Sequence, residues 1–199
     1  MNQVEKLLQL MNERDGTITT KEAVNLGIRK NAFQELEEKG EVVRIAEGLY
    51  ALPGEDIDEY IYFSHRVPKG IFSHDTAAFL WGLQNRSPLI YHMTIQSGSN
   101  VSRIKERGTK IIFHYIKEPL LELGKTKVKN PFGREIIIYD RERTILDIIR
   151  DKNSIDPQIF TETLKSYFEY EEKNMRKLYK YAKEMNLLEN LSTYTEVLL

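Results

Sequence analysis

The residues best suited to chemistry lie in the stretch GIRKNAFQELEEKGEVVRI, from Gly27 to Ile45. Asn31 and Gln34 are three positions apart, so in a helix they share one face. Carboxamide side chains can pair with two edge atoms of adenine, and arginine or lysine can pair with guanine or with phosphate. Arg29 and Lys30 directly precede this amide pair. The four side chains therefore suit contact with a DNA major groove.

The same stretch carries its charges in the order that an isolated helix disfavours. Arg29 and Lys30 fall at the N-terminus of a helix expected over residues 30–39, whereas Glu37 and Glu38 fall near its C-terminus. Each such placement opposes the helix dipole and costs roughly 0.3–1 kcal/mol. A local rule broken in this way is typical of functional sites. The pattern favours a helix that directs its first turn at a polyanion.

The surrounding sequence predicts the elements that would position this helix. Apolar residues recur at helical spacing over residues 4–11, TIT follows as a short strand, and Thr19 with Glu22 forms a capping box that opens a second helix. Gly27 supplies the turn to the third helix, and EVVRI and LYAL form a hairpin around Ala46-Glu47-Gly48. Two helices joined by a short turn form a helix-turn-helix, and the hairpin is its wing. We expect a winged helix-turn-helix DNA-binding domain over residues 1–53.

Arg44 lies on the polar side of the first wing strand, from which it could reach the DNA backbone or the minor groove. The segment as a whole is not basic, since residues 1–53 contain seven Lys and Arg against nine Asp and Glu, a net charge of −2. The alternatives are a winged helix that binds protein and a helix whose polar face is merely solvated. We favour DNA binding because the reversed charges and the amide pair coincide.

Beyond Pro53-Gly54, an acidic linker at residues 54–60 leads into a larger domain at residues 61–199. SHDTAAFLWGL and RERTILDIIRD are typical of helices, the second with an Arg143–Asp147 pair, and IYHMTIQ, KIIFHYIK and GREIIIYD are typical of strands. Asp156-Pro157 begins the first of two C-terminal helices. The expected fold class is mixed α/β (α+β), with an N-terminal winged helix-turn-helix followed by a larger mixed domain that ends in helices.

Positive charge is concentrated in the middle of the chain. Residues 101–134 contain nine Lys and Arg against three Glu, a net charge of +6. We expect Arg103, Lys105, Arg107 and Lys110 to form a second DNA-contacting surface, because each neutralised phosphate adds to affinity and to its salt dependence. A solvated face and a docking site for an acidic partner are the alternatives.

Other kinds of site find little support in the sequence. Cysteine is absent, which excludes disulfides, thiolate metal sites and cysteine nucleophiles. The four histidines lack the spacing of a metal-ligand motif, and Ser73, His74 and Asp75 cannot converge as a triad because they are neighbours in the chain. No glycine-rich phosphate loop is present. We therefore expect no catalytic residue, no metal ligand and no cofactor, and a protein that is not an enzyme.

Composition and hydropathy bound the location of the protein. Hydrophobic residues make up 41% and charged residues 30%, which suits a chain with a buried core. The N-terminus lacks the basic start and apolar run of a signal peptide, and no apolar run approaches about 20 residues. The expectation is a soluble, cytoplasmic protein without a membrane span.

Taken in order, three segments resemble the AbiEi family, the antitoxins of type IV toxin–antitoxin systems linked to phage abortive infection. GTITTKEAVNLGIRKNAFQELEEKGEVVRIAEGLYALP resembles the winged helix of the family, SHDTAAFLWGL its SH-x-x-A-x-x-L-x-G-L segment, and YDRERTILD its Y-x-x-E-R-T-x-x-D segment. The resemblance covers nearly the whole chain and is weakest in the C-terminal helices.

The resemblance implies two roles. The winged helix would bind inverted repeats in double-stranded promoter DNA of its own operon and repress transcription, and the C-terminal antitoxin domain would counteract a nucleotidyltransferase-like toxin without a stable complex. The DNA-reading positions of the family correspond to Arg29, Lys30, Asn31, Gln34 and Arg44. It implies no particular toxin-contacting residues.

Two alternatives from other classes remain open. A nucleic-acid-processing enzyme would need paired carboxylates that hold a metal, for which Asp56 with Asp58 and Asp140 with Glu142 are the candidates. A ligand-sensing winged-helix regulator would need a buried apolar pocket with convergent polar groups.

Overall fold

A computed structural model describes residues 2–102, 104 and 110–198. Its contacts divide the chain into two compact units. The first holds the residues up to Pro68 together with residues 129–136, and the second holds residues 69–128 and those from Ile137 onward. Helices and strands occur in both units, so the chain is a mixed α/β protein. No helix among the described residues is long and apolar enough to cross a membrane.

The first unit contains the elements predicted for residues 1–53. They are α1 (Gln3–Asn12), β1 (Thr17–Thr19), α2 (Thr20–Asn25), α3 (Asn31–Glu38), β2 (Val43–Ala46) and β3 (Leu49–Ala51), followed by α4 (Glu59–Arg66). Strand β3 pairs antiparallel with both β1 and β2, so the sheet has the order β1-β3-β2. Helix α3 is one residue shorter at each end than the predicted 30–39.

Local signals set the start and end of the first two helices. Asn2 and Glu5 form a capping box at α1, and Thr19 and Glu22 form the predicted one at α2. After α1, Asp15 adopts the left-handed region with φ 52°, as does the glycine that follows it. The apolar sides of the three helices meet in one core made of Val4, Leu7, Met11, Ile18, Ala23, Ile28, Ala32, Phe33, Leu36 and Val42.

Helix α4 lies where the sequence predicts the end of a linker. Asp58 begins this helix by accepting a hydrogen bond from the Ile61 backbone N–H at 3.1 Å. The Asp58 side chain is buried, and its two carboxylate oxygens accept from the Asn130 side-chain amide at 3.0 and 2.9 Å. Burial raises the pKa of Asp58 in spite of these hydrogen bonds. The compact unit therefore extends past the predicted boundary at Pro53 and includes a segment from much later in the chain.

The second unit is built on a five-stranded sheet and a group of helices. The strands are β4 (Ile71–Phe72), β5 (Tyr91–Gln96), β6 (Ile111–Ile116), β7 (Lys125–Lys129) and β8 (Glu135–Tyr139), in the order β6-β5-β4-β8-β7. Strand β4 is antiparallel to β5 and parallel to β8, and β5 is parallel to β6. The helices are α5 (His74–Leu80), α6 (Arg141–Arg150), α7 (Pro157–Glu169), α8 (Met175–Glu184) and α9 (Leu188–Leu198), with a 3-10 turn at Lys152–Ser154.

The predicted strands β5, β6 and β8 and helices α5 to α8 are confirmed, whereas β4, β7 and α9 are absent from the prediction. Strand β4 has only two residues, too few for a pattern. Strand β7 has the sequence KTKVK, in which the lysines are exposed, and charged side chains of this kind are typical of sheet edges.

Helix α6 contains a buried ion pair between Arg143 and Asp147. The Arg143 Nε donates to Asp147 Oδ1 at 3.0 Å, which confirms the predicted pair, and both side chains are fully buried. The same guanidinium donates from Nη1 to the backbone carbonyls of Leu120 and Leu123 at 2.6 and 2.9 Å and lies 4.2 Å from the Tyr139 ring centroid. Arg143 thereby holds the turn before β7 against the helix.

In the first unit, Glu22 joins α2 to the segment 129–136. Its carboxylate accepts from Arg134 Nη2 at 2.5 Å and from the Thr19 hydroxyl at 2.6 Å, and Arg134 Nη1 donates to the Thr17 carbonyl at 2.8 Å. Burial by itself would raise the pKa of Glu22. The hydrogen bonds from Thr19 and the charge of Arg134 outweigh it, so the pKa lies below its ordinary value.

We predict that Glu22→Gln lowers the free energy of unfolding at pH 7 by about 1–3 kcal/mol, because it removes charged hydrogen bonds. A carboxyl whose pKa is lowered by folding stabilises the chain above its unfolded pKa, and this stabilisation is lost as the pH falls. The difference between the wild type and the variant should therefore shrink below about pH 4. Urea denaturation at pH 7 and pH 3.5 measures it.

Glu13→Gln is the matched control, because Glu13 is exposed and its side chain accepts a hydrogen bond from the nearby Gln9 side chain in α1 at 2.9 Å. Its effect should stay within about 0.5 kcal/mol at both pH values. A deficit of Glu22→Gln that is equally large at pH 3.5 and at pH 7 would contradict the role assigned to the carboxylate.

Candidate nucleic-acid interface

Helix α3 presents its polar side to solvent. Its apolar side is buried in the core of the first unit, where the Phe33 and Tyr50 ring centroids are 4.5 Å apart. The predicted contact residues on and before its first turn are exposed, namely Arg29, Lys30, Asn31 and Gln34. The helix thus places cations and carboxamides together on one accessible surface.

The N-terminus of α3 differs from those of α1 and α2. Lys30 occupies the N-cap position with helical dihedral angles (φ −58°, ψ −33°), its side chain makes no capping hydrogen bond, and the first turn holds no acidic residue. The two preceding helices fill this place with Glu5 and Glu22. A helix start of this kind combines backbone N–H donors with the positive end of the helix dipole. The same combination binds phosphate in other proteins.

The amide of Gln34 is already engaged within the helix. Its Nε2 donates to Glu38 Oε1 at 3.0 Å, one turn toward the C-terminus. Gln34 and Asn31 share the exposed side as predicted. A bidentate contact of Gln34 with a base requires it to give up the bond to Glu38, so the acidic end of the helix competes with the base for this side chain.

Arg44 lies on the hairpin of β2 and β3, and residues of α2 and α4 contact the turn of this hairpin. It lies exposed in β2, next to a bulge that shifts the pairing of β2 with β3. In the turn, the Gly48 carbonyl accepts from the Thr20 backbone N–H at 2.8 Å, and His65 Nε2 lies 2.7 Å from the Glu47 carbonyl. The hairpin therefore has a defined position relative to α2 and α4.

Two of the described cations in the basic stretch 101–134 are engaged in ion pairs. Arg134 belongs to the first unit, where its side chain is only 11% exposed and is paired with Glu22. Lys125 pairs with Glu122 at 2.9 Å. Of the predicted DNA contacts in this stretch, Lys110 is exposed immediately before β6, and the other three, Arg103, Lys105 and Arg107, lie outside the described residues.

In the two carboxylate pairs considered for an enzyme, Asp58, Asp140 and Glu142 are engaged in other contacts. Asp58 caps α4, and Asp140 caps α6 by accepting from the Arg143 backbone N–H at 2.9 Å. Lys177 Nζ lies 2.8 Å from Asp140 Oδ2 and 3.1 Å from Glu142 Oε2. The ammonium group thus takes the place between these two carboxylates that a metal ion would require.

Next to Lys177 is a cavity of about 280 Å³. Its walls are charged and aromatic, and the Arg141 guanidinium carbon lies 4.6 Å from the Trp81 ring centroid and 4.7 Å from that of Tyr170. This is not the buried apolar pocket that a ligand-sensing regulator would need.

The second unit brings together three histidines that are far apart in the sequence: His74 at the start of α5, His92 on β5 and His114 on β6. His92 Nδ1 lies 3.0 Å from His114 Nε2. The rings of His74 and His114 stack with centroids 3.5 Å apart and planes inclined by 12°. One coordinating nitrogen from each histidine lies within 4.8 Å of the other two.

Asp151 orients two of these rings. Its Oδ2 lies 2.9 Å from His74 Nε2 and 3.4 Å from His114 Nδ1, and Arg150 Nε donates to its Oδ1 at 3.2 Å. Burial opposes ionisation of Asp151, but the hydrogen bonds of the two histidines and Arg150 outweigh it and hold its pKa well below the usual range. Burial, helped by the neighbouring histidines, lowers the pKa of His92 to about 3. His92 is therefore a neutral imidazole at neutral pH.

Ser73 and His74 lie at the start of α5 and contact each other. Ser73 occupies the N-cap position of α5, yet its side chain makes no capping bond. Its hydroxyl lies 2.9 Å from His74 Nδ1 and accepts from the Thr94 hydroxyl at 2.9 Å. With Asp151 on the other imidazole nitrogen, the three residue types of a catalytic triad are in contact, but Ser73 and His74 are 0% exposed, so no substrate can reach the hydroxyl.

The histidine cluster depends on the register in which β5 and β6 pair. Strands β5 and β6 are parallel with Thr94 opposite His114, which brings His114 beside His92. Each strand by itself is recognisable from its β-branched and aromatic residues. The pairing and offset of the two strands cannot be recognised from their sequences. Asp151 comes from the end of α6, which lies further along the chain.

Comparison with known proteins places the fold. No family model and no curated protein matches the chain in sequence. A crystal structure of the RV2827C protein from Mycobacterium tuberculosis is similar to it, with a TM-score of 0.59 over 91% of this chain and 71% of that chain, at 13% sequence identity. At this identity the similarity concerns the fold alone, and the chain shares a mixed α/β fold with that protein.

Proposed function

We propose that the first unit is a winged helix-turn-helix domain that binds double-stranded DNA, with α3 as its recognition helix and the β2–β3 hairpin as its wing. The observation that carries the proposal is the exposed first turn of α3. It joins two cations and two carboxamides to a helix N-terminus without an acidic residue, whereas α1 and α2 neutralise theirs with Glu5 and Glu22.

A recognition helix contacts base edges chiefly through its N-terminal residues. In this arrangement Arg29 and Lys30 contact phosphate or guanine, and Asn31 and Gln34 pair with bases. The acidic residues at the other end of the helix, Glu37 and Glu38, would be repelled by phosphate. They favour the orientation in which only the first turn enters the groove, so they contribute to specificity by excluding other orientations.

The net charge of −2 in residues 1–53 limits general attraction to DNA. Binding then depends on the few cations that face the duplex, which are Arg29, Lys30 and Arg44. Three phosphate contacts correspond to a slope of log affinity against log salt of about −3 for each bound copy. A measured slope much steeper than this would indicate that Lys110 and the adjoining basic residues also contact the backbone.

We also propose, from the resemblance to the AbiEi family, that the protein is a cytoplasmic transcriptional autorepressor and antitoxin. It would bind inverted repeats in its own promoter and counteract a nucleotidyltransferase-like toxin without a stable complex. One feature of the fold supports this proposal. The second and third segments of the resemblance form α5 and α6, which pack against each other although some 60 residues separate them in the sequence.

Footprinting on the DNA upstream of the protein's own gene tests the central claim. We expect protection of an inverted repeat at moderate salt, fading as salt rises because released counterions oppose binding. Random DNA of the same length should show no discrete footprint. Absence of any protected repeat at moderate salt would refute the proposal.

Substitutions on α3 should separate base contacts from phosphate contacts. Gln34→Ala should weaken preference at one or two base pairs by about 1–3 kcal/mol. Lys30→Ala should weaken specific and random DNA equally and reduce the salt slope by about one. Titration of the operator, its single-base variants and random DNA by fluorescence anisotropy measures both effects.

Lys39→Ala is the control, because Lys39 lies at the opposite end of the same helix and pairs with Glu35 at 2.8 Å. It should leave affinity and salt slope unchanged. If Gln34→Ala and Lys30→Ala lose specific and random DNA to the same extent, the assignment of their roles is wrong.

The two proposed roles should be separable. We expect a Lys30→Ala, Asn31→Ala double variant, expressed from an unrelated promoter, to lose repression of its own promoter but still protect cells from the toxin encoded beside it. The physical reason is that both residues lie in the first unit, in contact with solvent and outside the core. Reporter activity and growth measure the two roles, and loss of protection by a folded, expressed variant would contradict their separation.

A further inference from the structure

We propose that His74, His92 and His114 form a binding site for a zinc ion in the second unit. They are the group of potential metal ligands that the described residues bring together, with one coordinating nitrogen of each within 4.8 Å of the others. This inference does not depend on DNA binding, which we assign to the first unit, and it does not depend on the antitoxin role, because it rests only on the geometry of the three histidines.

The separations suit a single ion. Tetrahedral zinc holds imidazole nitrogens at about 2.0–2.1 Å, which puts two ligands about 3.4 Å from each other. His92 Nδ1 and His114 Nε2 are 3.0 Å apart, close to this distance. In the absence of the ion, the two nitrogens share one proton. Zinc binding leaves His92 with its proton on Nε2, so that both facing nitrogens offer lone pairs.

Carboxylates lie beside the cluster. Asp151 contacts His74 and His114, and Asp75 on α5 interacts electrostatically with His114. Arg150 pairs with Asp151 at 3.2 Å and with Asp147 at 3.0 Å. The carboxylates next to the rings attract a cation to this place, where imidazoles can bind it in their neutral form.

Asp151 completes the arrangement as an outer partner. Ligating histidines commonly donate their second ring N–H to a carboxylate, which orients the ring and raises its basicity. Asp151 Oδ2 serves two of the three rings in this way, at 2.9 Å from His74 and 3.4 Å from His114. Arg150 fixes the carboxylate from its other oxygen.

Zinc binding requires the rings of His74 and His114 to turn out of their stacked arrangement. The stacked rings of His74 and His114 are inclined by only 12°, so their lone pairs run side by side and must turn toward each other to meet one ion. His74 can keep Asp151 on Nε2 and exchange the Ser73 hydroxyl on Nδ1 for the ion. His74 also holds a backbone φ of 51°, a conformation that is strained for a non-glycine residue and that concentrates at functional sites.

The ligand set selects the kind of ion. Three imidazoles suit zinc and similar transition metals, whereas magnesium and calcium prefer oxygen ligands. Three protein ligands leave a fourth position for water or for an external group. The ion would join the start of α5 to β5 and β6, and binding to the folded chain alone would stabilise it.

The test uses the full chain after removal of metal with a chelator. Calorimetric titration with zinc chloride should show one equivalent bound to the wild type. His92→Gln and His114→Gln should abolish this binding, and Asp151→Asn should raise the dissociation constant about 10–100-fold. His65→Gln is the control, because His65 lies in the first unit and contacts the Glu47 carbonyl; it should bind zinc as the wild type does.

A second measurement needs no variant of the cluster and so does not depend on variants that fold. Addition of zinc to the wild type should shift the histidine ring nitrogen resonances of His74, His92 and His114 and leave those of His65 unchanged. A wild type that binds no zinc, or ring resonances of the cluster that do not respond to bound zinc, would overturn the proposal. The cluster would then be a buried, hydrogen-bonded histidine stack.

Discussion

The buried guanidinium of Arg143 is the contact on which the second unit depends. An uncompensated charge in this position would cost several kcal/mol. Asp147, two backbone carbonyls in the turn before β7 and the face of Tyr139 offset this cost, while Arg143 Nη2 and Asp147 Oδ2 have no hydrogen-bond partner among the described residues. The fit leaves no spare room, since a Cβ added to Gly124 would lie 2.6 Å from the Arg143 Cβ. One side chain thus fixes the turn, the helix and the end of β8 together.

A series of ion pairs and hydrogen bonds connects Arg143 with the histidine cluster. Asp147 also pairs with Arg150 at 3.0 Å, Arg150 holds Asp151, and Asp151 orients His74 and His114. Helix α6 therefore links the packing of the turn to the geometry of the proposed zinc site. The YDRERTILD segment, residues 139–147, which resembles the AbiEi family, ends β8 and forms most of this helix. In this chain the arginine and aspartate of that segment have a structural role, because both are fully buried.

In the first unit, helix α3 has no acidic residue in its first turn to neutralise the positive end of the helix dipole. Helices α1 and α2 satisfy their N-termini with their own glutamates, and α3 does not. Packing of Phe33 and Leu36 in the core keeps α3 folded despite its unfavourable charges. The energy of the core thereby keeps a cationic helix start exposed to solvent, the feature on which the proposed DNA binding rests. Arg134 differs from these exposed cations, because it is largely buried and forms an ion pair with Glu22.

The sequence alone determined the elements whose signals are local. Capping boxes, apolar periodicity and the Asp156-Pro157 start act over three or four residues, so α1 to α3, β1 to β3, β5, β6, β8 and α5 to α8 could be predicted. Only the tertiary structure decided which distant groups meet. Asn130 supports the cap of α4 from 72 residues away, and Asp151 reaches His74 across 77. Contacts of this kind depend on strand register and on the packing of whole elements. The spacing of residues along the chain does not reveal strand register or packing. The histidine cluster and the ion pair of Arg134 with Glu22 therefore could not be predicted from the sequence.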